Sequence, residues 1–304
     1  MCTRPCILGR RGGMVKEISV DIAGVRLKNP IVIASGTYNF RESSQYYDPA
    51  IPGLITTKSV SPVPWPGNDA PVIAETHGGM LNSIGLANRG LVDYLSPKGE
   101  LALLKAAGAM VCANVVGRTA EEYVEVCEGL SGSDVDLLEL NISCPNVKCG
   151  GLSFGTDPKV ASALVRECKQ VSGKKPLLVK LTPNVTDITE IALAVLDAGA
   201  DGLTLINTLK GMRIDLMTKK PVLSTGSGGL SGPAIHPVAV RMVWETRQAV
   251  GDKIPIIGIG GVMTGADAYE LILAGANAVA IGTAALIDPG APVRILGELE
   301  PFLT

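Results

Sequence analysis

Asp197–Asn207 reads DAGADGLTLIN, and the same order of parts recurs in AAGAMVCANV (106–115) and LAGANAVAIGT (273–283). Each copy closes a helix-like segment, turns through Ala-Gly-Ala, and enters a short run suited to a buried strand. Glycine fits the left-handed residue that ends a helix, and the alanines let helix and strand approach closely. One αβ junction written three times is what a pseudo-symmetric series of β/α units produces. Outward from these copies, β-rich runs recur at 31–35, 54–60, 110–117, 137–143, 176–182, 202–208, 254–261 and 278–284. Segments of helical period separate most of them, at 120–130, 158–172, 187–198, 233–250 and 265–274. Uninterrupted alternation predicts a parallel sheet with right-handed crossovers. Eight units in roughly 250 residues predict a closed (β/α)8 TIM barrel, with an open doubly wound sheet as the alternative.

Composition agrees with that class. The 304 residues are 46% hydrophobic and 18% charged but only 4% aromatic, so the core must be built from Ala, Val, Leu and Ile, as buried parallel strands require. Such a chain is not disordered, and a net charge of −2 gives no electrostatic footprint for nucleic acid. Residues 271–287 carry no charge, yet Gly275, Asn277, Gly282 and Thr283 interrupt them. They also fall short of the roughly 20 apolar residues that span a bilayer, so they read as a helix end, a turn and a strand. The first residues, MCTRPCILGRRGGM, have no apolar run of signal-peptide length. The 7 cysteines are odd in number and form no CxxC pair, which suits reduced thiols in the cytoplasm. Residues 1–13 are expected to be a disordered extension and 14–304 a single barrel domain. Glu17–Lys28 looks like a hairpin closing the barrel floor. The Gly- and Pro-rich stretches 61–88 and 209–231 are expected as loop insertions over the C-terminal mouth, where barrel enzymes hold their sites.

The strand ends then select candidates: Ser35, Lys58, Asn114, Asn141 with Cys144, Lys180, Asn207 with Thr208, Gly260 with Gly261, and Gly282 with Thr283. Buried amides and ammonium groups cost free energy unless paired, so a row of them behind apolar runs points to a ligand. The glycine-rich ends GIGGV (258–262) and IGTA (281–284) suit a phosphate held by backbone N–H groups. Close packing is the plainer explanation of the same glycines. Neither end is a dinucleotide fingerprint, and there is no P-loop. Lys58 and Lys180 read as a Schiff-base nucleophile, as a fixed cation beside an anion, or as ordinary surface lysines. Cys144 lies in NISCPN ahead of a glycine-containing stretch, 147–156, that reads as a lid carrying a thiol. Cys112, Cys127 and Cys168 read as buried small hydrophobes. Cys144 with Cys149 could also be a zinc or disulfide pair. With only His77 and His236 available, no metal-ligand cluster is visible and no metal is expected.

Eight motifs carry a family resemblance: ASGT (34–37), ITTKSVSP (55–62), GGMLNSIGLANRG (78–90), ELNISCPN (139–146), VKLTPN (179–184), INTLKGMRIDL (206–216), GGLSGPAIHPVA (228–239) and GIGGVMTGADAYELILAGANAVAIGTA (258–284). Over about residues 15–304 the chain resembles the dihydroorotate dehydrogenases, most closely the class 1B catalytic subunits of bacterial pyrimidine biosynthesis. His77 and Arg89 stand where that family commonly has proline. The resemblance implies FMN at the barrel mouth, its phosphate at Gly260, Gly261, Gly282 and Thr283. Around the flavin it implies Ser35, Lys58, Ser59, Asn114, Asn141, Lys180, Ile206 and Gly232. For dihydroorotate it implies Lys58, Asn82, Ser83, Ile84, Gly85, Leu86, Asn141, Asn207 and Thr208, with Cys144 as general base. Membrane-bound class 2 relatives use serine there and carry an N-terminal amphipathic helix; Cys144 favours class 1. The resemblance further implies a homodimer of catalytic chains joined to an electron-transfer subunit with FAD and a 2Fe-2S cluster, a heterotetramer that delivers electrons to NAD. Three other readings stay open: a fumarate-using class 1A enzyme, a Schiff-base aldolase with Lys180 as nucleophile, and a ligand-binding barrel without turnover.

Overall fold

The computed structural model describes residues 18–143, 148–149 and 152–303. Residues 1–13, Met14 and Cys144 therefore lie outside the described residues, as do residues 147, 150 and 151 of the lid stretch.

Eight strands close a parallel barrel: β1 (Ile31–Ile33), β2 (Leu54–Thr56), β3 (Val111–Val115), β4 (Leu137–Asn141), β5 (Leu177–Lys180), β6 (Gly202–Leu205), β7 (Ile256–Ile259) and β8 (Ala278–Ile281). Each pairs with its neighbours in chain order, and β8 closes on β1 with Val279 opposite Ile31. All eight lie inside the runs read from the sequence, every one of which overran its strand at the C-terminal end, and those at 110–117, 176–182 and 254–261 at the N-terminal end as well. The largest overrun is at 57–60, after β2; at 282–284 the chain leaves β8 at Gly282 and turns into a short helix, Thr283–Ile287.

Around the barrel run α1 (Glu100–Ala106), α2 (Ala120–Ser131), α3 (Pro158–Val171), α4 (Ile188–Asp197), α5 (His236–Val250), α6 (Gly265–Leu273) and α7 (Ala291–Leu303). The starts of four of them are written locally, because a side-chain oxygen at the N-cap satisfies N–H groups that the helix itself cannot. Thr119, Asp157 and Asp187 accept from the first turns of α2, α3 and α4. Thr264 and Asp267 make a reciprocal capping box on α6. None of the described helices is long and apolar enough to cross a membrane.

Side chains divide between two layers. Val111, Ala113, Leu138, Leu140, Leu177 and Val179 face the helices, while Cys112, Leu137 and Leu178 join a separate cluster inside the barrel. The hairpin Val20–Ile22/Val25–Leu27 sends Ile22 and Leu27 into that inner cluster and stops the floor, as its sequence suggested. Further along the same inward faces come Asn114, Glu139, Asn141, Lys180 and Thr204, all buried. The barrel interior is thus apolar below and polar above. Cys112, Cys127 and Cys168 are buried free thiols. The two irregular insertions do not merely overhang the mouth. They pair into one antiparallel sheet in the order Leu209–Gly211, Gly228–Ser231, Gly79–Asn82, Ile73–Thr76.

Candidate active site

The C-terminal ends of the strands and that added sheet enclose a cavity of about 540 Å³. Its wall contains Ser35, Lys58, Ser59, Asn141, Lys180, Ile206, Asn207, Thr208, Gly232, Gly260, Gly261, Gly282 and Thr283 from the strand side. Asn82, Ser83, Ile84, Gly85 and Leu86 come from the sheet side. Every residue proposed from the sequence is accordingly on this wall except two. Cys144 lies outside the described residues, directly after the wall residue Ser143. Asn114 is fully buried behind the wall, where its amide meets Ser59, Asn141 and Glu139.

Three features set the chemistry of the cavity. Its described lining includes Lys58, Lys180 and Lys210 and no carboxylate, so it favours an anion. Lys180 is 5% exposed, and among the described residues its Nζ makes no hydrogen bond or ion pair. A buried ammonium without a partner is costly, and a bound anion removes that cost. Burial also pulls the Lys58 ammonium below its ordinary pKa, Lys180 pulls in the same direction, and Glu100 opposes both. Glu100, at the start of α1, is in turn raised to about 7 by burial, against the pull of Lys58 and Arg89.

The second feature is the glycine corner. Gly261 has φ 70°, and a Cβ there would come within 2.8 Å of the Gly232 carbonyl oxygen and 2.7 Å of His236 Cβ. Only glycine leaves this backbone bare for a ligand. His236 secures the corner from behind: Nδ1 lies 2.8 Å from the Gly260 carbonyl and so donates to it, while Nε2 faces Glu270 on α6 at 3.1 Å. Thr283 Oγ1 donates to Ser231 Oγ at 2.8 Å, tying the end of β8 to the added sheet.

The third feature is an amide cluster on the opposite side, made by Asn141, Asn207 and Ser143. Asn184 braces it by donating to the Thr208 carbonyl at 3.0 Å and accepting from Lys210 N at 2.8 Å. Ser83 Oγ is buried without a partner among the described residues. Sequence reading passed over Ser143, Asn184, Lys210, Glu100 and Glu139. Ser143, Asn184, Lys210 and Glu139 stood inside the quoted motifs, but nothing in those strings says that they would converge.

A family model described as dihydroorotate dehydrogenase matches residues 17–303. The chain belongs to the dihydroorotate dehydrogenase family. Among its relatives is a protein of Alkaliphilus metalliredigens, 50% identical over 94% of both chains. A second, of Lachnoclostridium phytofermentans, is 52% identical over 94% of both. A third, of Geobacillus kaustophilus, is 51% identical over 95% of this chain and 91% of its own. Each of the three is named dihydroorotate dehydrogenase B (NAD(+)), catalytic subunit. Against this family, the cavity fits a flavin with its phosphate. A bare glycine corner, a partnerless buried ammonium and a lining free of carboxylates accept an anionic cofactor without forcing two negative charges together.

Proposed function

We propose that this protein oxidises dihydroorotate to orotate in pyrimidine biosynthesis. The observation that carries the reading is the single cavity wall joining the glycine corner, Lys58 and Lys180, and the Asn141–Asn207 amides in a chain of this family. Residues 14–304 act as one FMN-binding barrel domain. FMN, when bound, supplies the hydride acceptor. The corner Gly260–Gly261 with Gly282 and Thr283 holds its phosphate, and Lys180 places a fixed positive charge where the ring system gains electrons. Lys58 faces the substrate carboxylate. Asn141 and Asn207 offer both donors and acceptors to a ring of amide groups, which neither lysine nor an apolar wall can match. The flap Asn82–Leu86 covers the substrate and keeps water out.

Cys144 is assigned as general base. It takes the proton from the ring carbon beside the carbonyl, and the thiolate is the form that can do so. The chain works in the cytoplasm with a partner. Two catalytic chains and two electron-transfer subunits carrying FAD and a 2Fe-2S cluster make a heterotetramer that ends on NAD. The names of the relatives, which specify NAD(+) and a catalytic subunit, favour this over a fumarate-using single chain.

The test is spectroscopic. The purified chain should be yellow, and anaerobic dihydroorotate should bleach its flavin. It should then reduce artificial dyes but not NAD until the partner is added. A colourless protein inactivated at Lys180 by substrate plus borohydride would replace the reading with a Schiff-base aldolase. Efficient turnover with fumarate would remove the partner.

A further inference from the structure

Beneath the cavity lies a buried carboxylate that no step above uses. Glu139 is 2% exposed and sits on the inward face of β4, between Leu137 of the apolar floor layer and Asn141 of the cavity wall. Its register partner on β3 is Asn114, whose Nδ2 donates to Glu139 Oε1 at 2.7 Å. With Glu139 Oε1 accepting, the Asn114 amide turns its NH₂ downward and its oxygen up. That oxygen accepts from Ser59 Oγ at 2.7 Å and from Asn141 Nδ2 at 3.4 Å. Asn141 is thereby turned the same way, and its own oxygen accepts from Ser143 Oγ at 2.6 Å and Asn207 Nδ2 at 3.4 Å. The Asn207 oxygen accepts from the backbone N–H of Thr208 at 2.8 Å.

Donation therefore runs in one sense, from Asn207 to Asn141 to Asn114 to Glu139. A donor-only backbone N–H stands at one end and an accepting carboxyl oxygen at the other. The amides between them have no sense of their own, because either end of an amide can serve, and the serine hydroxyls rotate to follow. We infer that Glu139 is a positioning residue: it fixes the orientation of Asn114 and Asn141, and so decides which atoms of the cavity wall meet the ligand as donors. This deepens the proposed function, on which it rests for the identity of the ligand.

The sign of the effect separates this role from a simple charge effect. Orotate is an anion, so replacing a carboxyl group by a neutral amide does not by charge weaken its binding. Loss of amide orientation weakens it, because a ligand acceptor then faces an acceptor. The experiment is orotate titration of the holoenzyme, followed by the change in flavin absorption, for wild type and Glu139→Gln. A glutamine of the same shape offers NH₂ as readily as oxygen. The expected result is about tenfold weaker orotate binding with FMN retained, the equivalent of one misdirected hydrogen bond. Unchanged or tighter binding would overturn the inference. Wild type that shows no response to orotate would instead overturn the proposed function, and this inference with it. Should the variant not fold, neutron diffraction of the wild-type holoenzyme decides. Deuterium on the Asn114 nitrogen between it and Glu139 is expected, and the opposite amide orientation would overturn the assignment.

Discussion

Floor and mouth of the barrel use the same residue types in opposite ways. At the floor, Asp136 Oδ2 accepts from Lys105 Nζ at 2.8 Å and from Val111 N, the first N–H of β3, at 2.7 Å. Asp201 Oδ2 accepts from Lys169 Nζ at 2.5 Å and from Leu177 N, the first of β5, at 2.7 Å. Asn277 Oδ1 accepts from Arg247 Nη2 at 2.8 Å and from Ile256 N, the first of β7, at 2.9 Å. One clasp is built three times: a cation from the helix before a strand, that strand's first N–H, and the polar residue that opens the next strand. Arg247 adds bonds to the Gly275, Gly251 and Ile254 carbonyls, so its donors are used within the fold. At the mouth, Lys58 and Lys180 and the Ser83 hydroxyl have no such partners among the described residues. Polar groups that satisfy one another hold a fold together; polar groups left facing a cavity await a ligand.

Substitutions at the two ends should therefore fail in different assays. The largest effect belongs to Cys144→Ala. It should retain FMN and bind orotate but lose turnover by about 10²–10⁴-fold, the usual cost of a missing general base. In wild type, the rate of flavin reduction measured by stopped flow should climb with pH toward the thiol pKa, ordinarily about 8.5. Near-normal turnover in the variant would reject the assignment. At the floor, Arg247→Ala should cost about 3 kcal/mol of stability in urea unfolding, since it strips the donors from the half-buried network of the Gly275, Gly251 and Ile254 carbonyls and Asn277. Its orotate affinity should not change; a change would blur the division between the two ends.

Lys180→Ala reverses that pattern. Flavin reduction should slow about 10²-fold, as expected for loss of a fixed charge at a site of developing charge. The melting temperature should hold or rise, because a buried partnerless ammonium has been removed. The smallest effect concerns Glu100. Its carboxyl stays protonated in the fold up to about 7, whereas the unfolded chain loses that proton from about 4.5. The folded state therefore binds the extra proton in that window, and stability falls as pH rises through it. Glu100→Gln should flatten this part of the urea-midpoint profile, and an unchanged slope would show that Glu100 does not carry it.

The sequence by itself determined the barrel and which residues reach its mouth. Each strand is announced by an apolar run, the starts of α2, α3, α4 and α6 by a capping oxygen, and parallel closure delivers all strand ends to one face. Residues such as Lys58, Asn141, Lys180 and Asn207 needed only their position at the end of such a run to be expected at the mouth, and they line the cavity there. What lies across strands was decided by the tertiary structure. Asn114 reads as a wall residue, yet the register of β3 against β4 sets it over Glu139 and behind Ser59. The insertions read as two separate loops, yet Gly229 pairs with Asn82 across the chain and makes one sheet. The clasps at the floor join residues on different units in the same way. In strands buried on both faces, apolar residues fill inward and outward positions alike, so alternation does not reveal which way Glu139 or Asn114 points. That direction, and the partner it meets, comes from strand register, which the closed barrel imposes and no local stretch of sequence contains.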